Sequence, residues 1–126
     1  MSEAGSDLVS EKFRNFIEEG EAISSPDIAL IETLNAIWKH YAILKNITKN
    51  DFEKALESFP AIWSKIKKLD SESISKYATE LAAENKISVY DSIYVTQCKL
   101  NYWVLFTFDK KLLNIARSLG VKAIQV

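Results

Sequence analysis

The sequence predicts an α/β fold with a central parallel sheet, on three observations. Residues 102–108 are continuously apolar and rich in aromatic and branched side chains, which is typical of an interior strand buried on both faces of such a sheet. A helix that begins at Asp109 and ends at Gly120 follows, and residues 121–126 are then predicted to be another strand, so the three form a βαβ unit. The 126 residues fit one domain of ordinary size, which we place over 1–126.

The composition excludes several classes of protein. Hydrophobic residues make up 48% and charged residues 26%, with only 3 Gly and 2 Pro, so a packed core is expected and disordered or collagen-like chains are excluded. The 16 Lys and Arg residues nearly balance the 17 Asp and Glu residues. The net charge therefore does not draw the molecule onto nucleic acid, and a polyanion must be bound locally.

Cysteine and histidine are both sparse. Cys98 and His40 are the single residues of their kinds, so neither a disulfide framework nor a Cys/His zinc site is expected. We interpret Cys98 as a small core residue and His40 as an ordinary helix residue. The polar, acidic N-terminus and the lack of an apolar run of about 20 residues predict a cytoplasmic protein without a membrane span.

The first part of the chain is predicted to contain a helix, a short strand and a second helix. Apolar residues within 8–17 fall on one stripe of an amphipathic helix that Gly20 ends. Residues 22–25 then form a short strand. Ser25 is the expected N-cap of the second helix and Pro26 its first residue, since proline is well tolerated there.

The middle of the chain is predicted to be mainly helical. Thr48 begins a long helix that Pro60 is expected to kink or split, because proline removes a backbone hydrogen bond. Residues 66–69 alternate and predict a short edge strand guarded by lysines. The next helix ends near Asn85, and Ser88 begins another.

Three acidic residues stand where α/β proteins collect ligands. Asp109 directly follows the predicted interior strand, Asp91 lies in the first turn of a helix, and Glu32 lies further along the second helix. Two of them have a structural explanation, since Asp109 can be an N-cap and Asp91 the reciprocal member of a capping box with Ser88. Glu32 lies against the apolar side of its helix, where an unpaired carboxylate is costly.

A cation would allow these carboxylates to converge. Like charges within several ångströms oppose folding unless a cation neutralises them, and oxygen-only ligands suit Mg²⁺ or Mn²⁺. Such an ion activates water and stabilises the charge that develops on a phosphodiester. Asn35 lies one turn after Glu32 and adds a second polar side chain on the same side of the helix. The chemistry predicted from a converged cluster is metal-dependent phosphodiester hydrolysis.

Three stretches of the chain carry motifs in a distinctive order. Residues 25–36 contain Ser-Pro-Asp and then Glu32, residues 87–94 an aromatic-Asp pair followed by a Tyr, and residues 105–112 a Thr-x-Asp after an apolar strand. Together they resemble the PIN-domain ribonucleases, and most closely the small VapC-type toxins of prokaryotic toxin-antitoxin pairs. The similarity extends over residues 6–126.

The resemblance implies a three-layer α/β/α fold with a central parallel sheet and an acidic pocket that binds Mg²⁺ or Mn²⁺ and cuts single-stranded RNA. It also implies an antitoxin protein as partner and a homodimer. The residues that match the family's site are three catalytic, metal-binding acids, a supporting hydroxyl and a supporting amide: Glu32, Asp91, Asp109, Thr107 and Asn35.

The start of the chain departs from the family pattern. Family members begin with an apolar strand that ends in the first catalytic Asp and lies between the counterparts of residues 22–25 and 104–108; neither feature precedes residue 6 here. We therefore expect an N-terminally truncated domain whose sheet re-pairs or is completed by another chain, and weak or absent activity. A start codon placed too late, a decayed gene and a strand supplied in trans are the alternatives.

Two other classes of function compete with the nuclease. A non-catalytic PIN-like interaction protein would bind an antitoxin or a second copy of itself and need no metal. A phosphate-accepting receiver domain needs an acidic pair after its first strand, which the sequence lacks. The lysines at 65, 67, 68, 110 and 111 are either solvated surface or the flanks of an RNA groove.

Overall fold

The computed structural model describes residues 23–125. In chain order its elements are β1 (Ser24–Pro26), α1 (Ala29–Trp38), a π-helical segment (Lys39–Ile43), α2 (Lys49–Ser64), β2 (Lys67–Leu69), a 3₁₀ turn (Glu72–Ile74), α3 (Ser75–Asn85), α4 (Val89–Asn101), β3 (Leu105–Thr107), α5 (Lys110–Ser118) and β4 (Ala123–Gln125). The helix predicted over residues 8–17 lies outside the described residues. Within the described range, no helix is both long and apolar enough to cross a membrane.

The strands form two parallel, two-stranded sheets. β1 pairs with β2 in a register that sets Ser24 opposite Lys67, and β3 pairs with β4 with Leu105 opposite Ala123. These pairings confirm the α/β class, the predicted βαβ unit and the edge strand that carries the lysines. Over residues 23–125, β1 and β3 do not pair with each other, so the expected direct re-pairing of these two strands is wrong. Completion of the sheet by another chain stays a prediction.

β3 is shorter than the strand predicted over residues 102–108. Tyr102 has a left-handed backbone with φ 57° and ends α4, because its N–H and that of Trp103 both donate to the carbonyl of Cys98. Tyr102 and Trp103 therefore form the C-terminal cap of α4 and are not part of the strand. The predicted burial on both faces is also wrong, since Leu105 is 5% exposed but Phe106 is 37% exposed. Side chains alternate along a strand, and the Leu105 side enters the core.

The hydrophobic core lies between the β3–β4 sheet and the helices α3, α4 and α5. Its buried members are Leu81, Val95, Cys98, Leu105, Leu112, Leu113, Ala116, Val121 and Ala123. Gly120, at φ 79°, turns the chain from α5 towards β4, as its predicted helix-ending role requires. Arg117 closes the same corner, because its guanidinium donates to the Ala123 carbonyl at 3.0 Å.

Helix α4 is the element that contacts both sheets, since it packs against β1 and β3 as well as α3. The buried Ser92 hydroxyl donates to the Ala78 carbonyl at 2.6 Å and fastens α4 to α3. Gln97 donates to the Asp70 carbonyl at 3.2 Å, which fixes α4 to the end of β2. Helix α4 is therefore held in place relative to α3 and to the end of β2.

The predicted start of α1 is wrong by three residues. Pro26 lies in β1 rather than in the first helical turn, and α1 begins at Ala29 without a side-chain cap. A proline is accepted in this strand because the Asp27 N–H, not that of residue 26, donates to the Leu69 carbonyl at 2.9 Å. The missing N–H of Pro26 therefore leaves the β1–β2 pairing intact.

Helix α2 begins as predicted but is not split. Thr48 and Asp51 form a reciprocal capping box at its start. The helix then runs through Pro60 to Ser64, so the expected split is wrong. Leu56 is 42% exposed and Pro60 is also exposed, so water is available to the carbonyl that the proline leaves unpaired.

The carboxyl ends of β1 and β2 are joined by side-chain hydrogen bonds. Ser71 donates to Asp27 through its hydroxyl, and its N–H donates to Asp27 Oδ2 at 3.3 Å. These bonds, the hydroxyl bond above all, hold the pKa of Asp27 below its ordinary value of 3.8. The contact therefore stabilises the fold above that pH, and the stabilisation is lost as the pH falls through the lower pKa of the folded state.

Ser71→Ala is expected to lower the thermal midpoint at pH 7 by about 2 °C, because an exposed hydrogen bond contributes little. The difference from wild type should shrink as the pH falls below 3.8 and through the lower pKa of folded wild-type Asp27, because the carboxylate is then protonated in both proteins. Ser73→Ala is the matched control, since its hydroxyl donates to the Asp70 carbonyl at 3.3 Å, which does not titrate. Thermal unfolding at pH 7 and pH 3 checks this, and a pH-independent difference would contradict it.

Candidate functional site

A side-chain hydrogen bond joins the acid on α1 to α4. The Tyr94 hydroxyl donates to Glu32 Oε1 at 2.8 Å, across 62 residues of sequence. Both residues are half-buried. Burial, the bond to Glu32 and the negative charges of Glu32 and Asp91 all raise the pKa of Tyr94. The hydroxyl therefore stays protonated and remains a donor at neutral pH.

Asp91 lies one turn before Tyr94 and is half-buried. The predicted N-cap of α4 is confirmed, because the Ser88 hydroxyl accepts from the Asp91 N–H at 3.1 Å. The reciprocal bond of a capping box is not formed, and no hydrogen bond or ion pair from residues 23–125 engages the Asp91 carboxylate. The N-cap thus uses the backbone N–H of Asp91, and the Asp91 carboxylate remains available to bind a ligand.

Asp109 follows the carboxyl end of β3, where the sequence places it, and is the N-cap of α5. Its Oδ1 accepts from the N–H of Lys111 at 2.8 Å and of Leu112 at 3.4 Å. Thr107, which is 9% exposed, accepts from the Asp109 N–H at 3.1 Å through its hydroxyl. The Thr107 hydroxyl therefore holds the backbone of Asp109 in place, and with it the position of the Asp109 side chain.

The predicted residues are brought together only in part. Glu32 and Asp91 share Tyr94 as a neighbour, whereas no hydrogen bond among the described residues links Asp109 to either of them. Asn35 is exposed, and its side chain makes no hydrogen bond within residues 23–125. Over that same range, no group of three or more His, Cys, Asp or Glu residues is arranged to hold a metal ion.

Tyr94 is the site residue to which sequence reasoning assigned no role. Its signal is the spacing, since a Tyr three residues after Asp91 lies on the same helix face as that acid. The contact with Glu32 was not predictable, because nothing local relates residue 32 to residue 94. Asp27, which directly follows β1, is a second acid at a strand end to which sequence reasoning assigned no role in the site.

The donor set determines which ion this site suits. Carboxylate oxygens are hard ligands, and Mg²⁺ is commonly held by one or two carboxylates while waters and substrate phosphates complete its shell. Glu32 Oε2 and the Asp91 carboxylate have no hydrogen-bond partner among residues 23–125, so they remain free to act as ligands. The pair therefore fits a hard divalent ion in donor chemistry.

Other catalytic chemistries are poorly supported by the described residues. Burial raises the pKa of Cys98 to about 11, so this thiol is protonated at neutral pH and is a poor nucleophile. His40 bonds through Nδ1 to Asn46 Oδ1 at 2.9 Å, in the exposed segment after α1. Both residues have the structural roles that the sequence predicts.

The fold and the positions of the acidic residues indicate a class of α/β protein. The described residues form a parallel α/β fold with acids at strand ends and on the neighbouring helices, and in α/β proteins this edge of a sheet is where ligands commonly bind. The PIN domain family matches residues 7–118, so the chain belongs to the PIN domain family. PIN domains are typically metal-dependent nucleases, which supports a nuclease in general. A search of curated proteins finds no match to this chain.

Proposed function

We propose that the protein is an endoribonuclease that hydrolyses phosphodiester bonds of single-stranded RNA with Mg²⁺ or Mn²⁺. The observation that carries this proposal is the pairing of two acids around one tyrosine. Glu32 accepts the Tyr94 hydroxyl at 2.8 Å, and the charge of Asp91 acts on the same hydroxyl. Neither carboxylate is used in an ion pair within residues 23–125. Family membership supports the same reaction class.

Glu32 and Asp91 would hold the ion, and Asp109 is proposed as the third acid. The bound ion supplies a water of lowered pKa and stabilises the charge that develops on the phosphodiester. Thr107 fixes Asp109 through its backbone N–H. Lys110 and Lys111, both exposed beside Asp109, are proposed to attract the phosphates of the RNA backbone. Asn35 is retained as a supporting amide.

We further propose that the nuclease is the toxin of a toxin-antitoxin pair and that an antitoxin protein binds it. Large apolar side chains are exposed on α1, on the segment after it and on α2: Ile31, Trp38, Ile43, Leu44, Leu56 and Ile62. We propose that these side chains form one apolar surface, because a contiguous exposed apolar patch is typical of a site that contacts another protein. A homodimer would use the same kind of surface.

A second function is favoured by the same apolar side chains. A non-catalytic interaction protein would need such an apolar surface but no metal. Metal binding separates the two functions. An ion that binds only the folded state must raise the unfolding temperature, whereas an interaction protein is indifferent to it.

The nuclease proposal predicts that the protein cleaves an unstructured RNA weakly in the presence of Mn²⁺, as expected for a domain without the family's first strand and first Asp, and that a chelator abolishes the cleavage. Saturating Mn²⁺, at about 100 times its Kd, should stabilise the fold by about 2.7 kcal/mol. Gel analysis of labelled RNA and thermal unfolding with and without Mn²⁺ measure both effects. Neither cleavage nor a thermal shift, together with a stable dimer by light scattering, would favour the interaction protein.

A further inference from the structure

The geometry assigns Tyr94 as a positioning residue that holds the Glu32 carboxylate for metal binding, an inference that rests on the proposed metal site. Its hydroxyl donates to Oε1 at 2.8 Å and leaves Oε2 without a partner among residues 23–125. One oxygen of the carboxylate is therefore held by the protein while the other remains available to a ligand.

The need for a positioning group follows from the nature of glutamate. Its side chain has three rotatable bonds, and fixing a long, flexible side chain costs conformational entropy. Tyrosine has a rigid ring and only two such bonds. Tyr94, which is half-buried on α4, can therefore restrict the side-chain conformation of Glu32 before a ligand binds.

The location of α4 explains why the bond matters for two acids. Asp91 and Tyr94 lie one turn apart on this helix, and α4 is fastened to α3 through Ser92 and to the end of β2 through Gln97. The Tyr94–Glu32 bond extends this framework to α1. It sets the acid of α1 at a defined place relative to Asp91, although the two lie far apart in sequence.

The hydrogen bond of the hydroxyl argues against a role as proton donor to substrate. Its proton is already donated to Glu32 Oε1. Tyr94 therefore acts through Glu32 and not on the RNA.

The first test compares Tyr94→Phe with Tyr90→Phe. Each variant loses only a hydroxyl, and Tyr90 is a matched control because it lies on the same helix and is 61% exposed. Removal of an outer-shell partner typically costs about 10–100-fold in metal affinity. We expect Mn²⁺ to bind Tyr94→Phe about tenfold more weakly, as measured by electron paramagnetic resonance of the free ion, and to bind Tyr90→Phe as it binds wild type.

Excess metal separates positioning from structural damage. If Tyr94 only orients a ligand, saturating Mn²⁺ should restore most of the RNA cleavage by Tyr94→Phe with the KM for RNA unchanged. A variant with a damaged fold would not be rescued in this way. Cleavage that stays low at every Mn²⁺ concentration would overturn the positioning role.

A double-mutant cycle tests the contact without any metal. Glu32→Ala removes the acceptor and Tyr94→Phe removes the donor, so the two substitutions should be non-additive in urea unfolding. We expect Tyr94→Phe to lower the urea midpoint in the wild-type background and to leave it nearly unchanged in the Glu32→Ala background. Additive effects would show that Tyr94 does not hold Glu32 and would overturn the inference.

The outcomes separate this inference from the proposed function. Wild-type protein that binds no Mn²⁺ and cleaves no RNA overturns the proposed function and the positioning role together. Wild-type protein that binds Mn²⁺, with Tyr94→Phe unchanged in affinity, overturns the positioning role alone. Weaker binding by Tyr94→Phe, together with a non-additive cycle, supports both.

Discussion

Asp91→Asn is expected to lower the proposed Mn²⁺-dependent RNA cleavage by about 100-fold or more, and Glu32→Gln is expected to have an effect of the same order. Each substitution keeps the shape of the side chain and removes the charge that would bind the proposed ion. The amide oxygen that Glu32→Gln introduces can still accept a hydrogen bond from the Tyr94 hydroxyl. The expected loss of cleavage therefore reflects the lost charge and not a broken hydrogen bond. Cleavage rates measured against Mn²⁺ concentration provide the check.

The fold should tolerate the loss of the Asp91 charge. Ser88 caps the backbone N–H of this residue, and the cap survives because Asn has the same N–H. The lost charge in the first turn of α4 costs only about 0.3–1 kcal/mol. A loss of cleavage with the fold retained is therefore the expected pattern for Asp91→Asn.

A matched control for Glu32→Gln is Glu80→Gln, since Glu80 is an exposed acid on α3. It changes the net charge of the protein by the same amount and should cleave RNA at the wild-type rate. Cleavage by Asp91→Asn and Glu32→Gln at the wild-type rate would remove these residues from the metal site. Equal losses in all three variants would point to net charge alone.

Substitutions at Asp109 are expected to separate its two roles. Asp109→Ala removes the cap of α5 and should lower the free energy of unfolding by about 1 kcal/mol. Asp109→Asn keeps an oxygen that can accept from Lys111 and Leu112, so its stability should remain close to wild type. If Asp109 is the third acid, both variants should lose cleavage by about tenfold or more, because Asn is a poorer ligand than a carboxylate.

Urea unfolding and RNA cleavage, measured on the same preparations, decide between these roles. If Asp109→Asn cleaves RNA at the wild-type rate, the role of Asp109 is limited to capping α5. That result would agree with the absence, among the described residues, of a hydrogen bond from Asp109 to Glu32 or Asp91. Loss of cleavage in a stable Asp109→Asn protein would support a site that all three acids share.

Local signals in the sequence predicted several elements correctly. Thr48, Ser88 and Asp109 each begin a helix as expected, because an N-cap acts within three residues of itself. The βαβ unit and the lysine-bearing edge strand were also predicted correctly. Spacing and capping are short-range effects, so they can be inferred without knowing the fold.

Only the tertiary structure decided the features that involve distant residues. Pro26 has good signals for a helix start, yet pairing with β2 places it in a strand. Phe106 lies within an apolar run, yet it is 37% exposed while Leu105 enters the core. The bond between Glu32 and Tyr94 depends on the packing of α4 against β1, which no local pattern encodes. The sequence by itself determined which acids were available, and the fold determined that two of them share a tyrosine, because hydrogen bonds depend on distance in space.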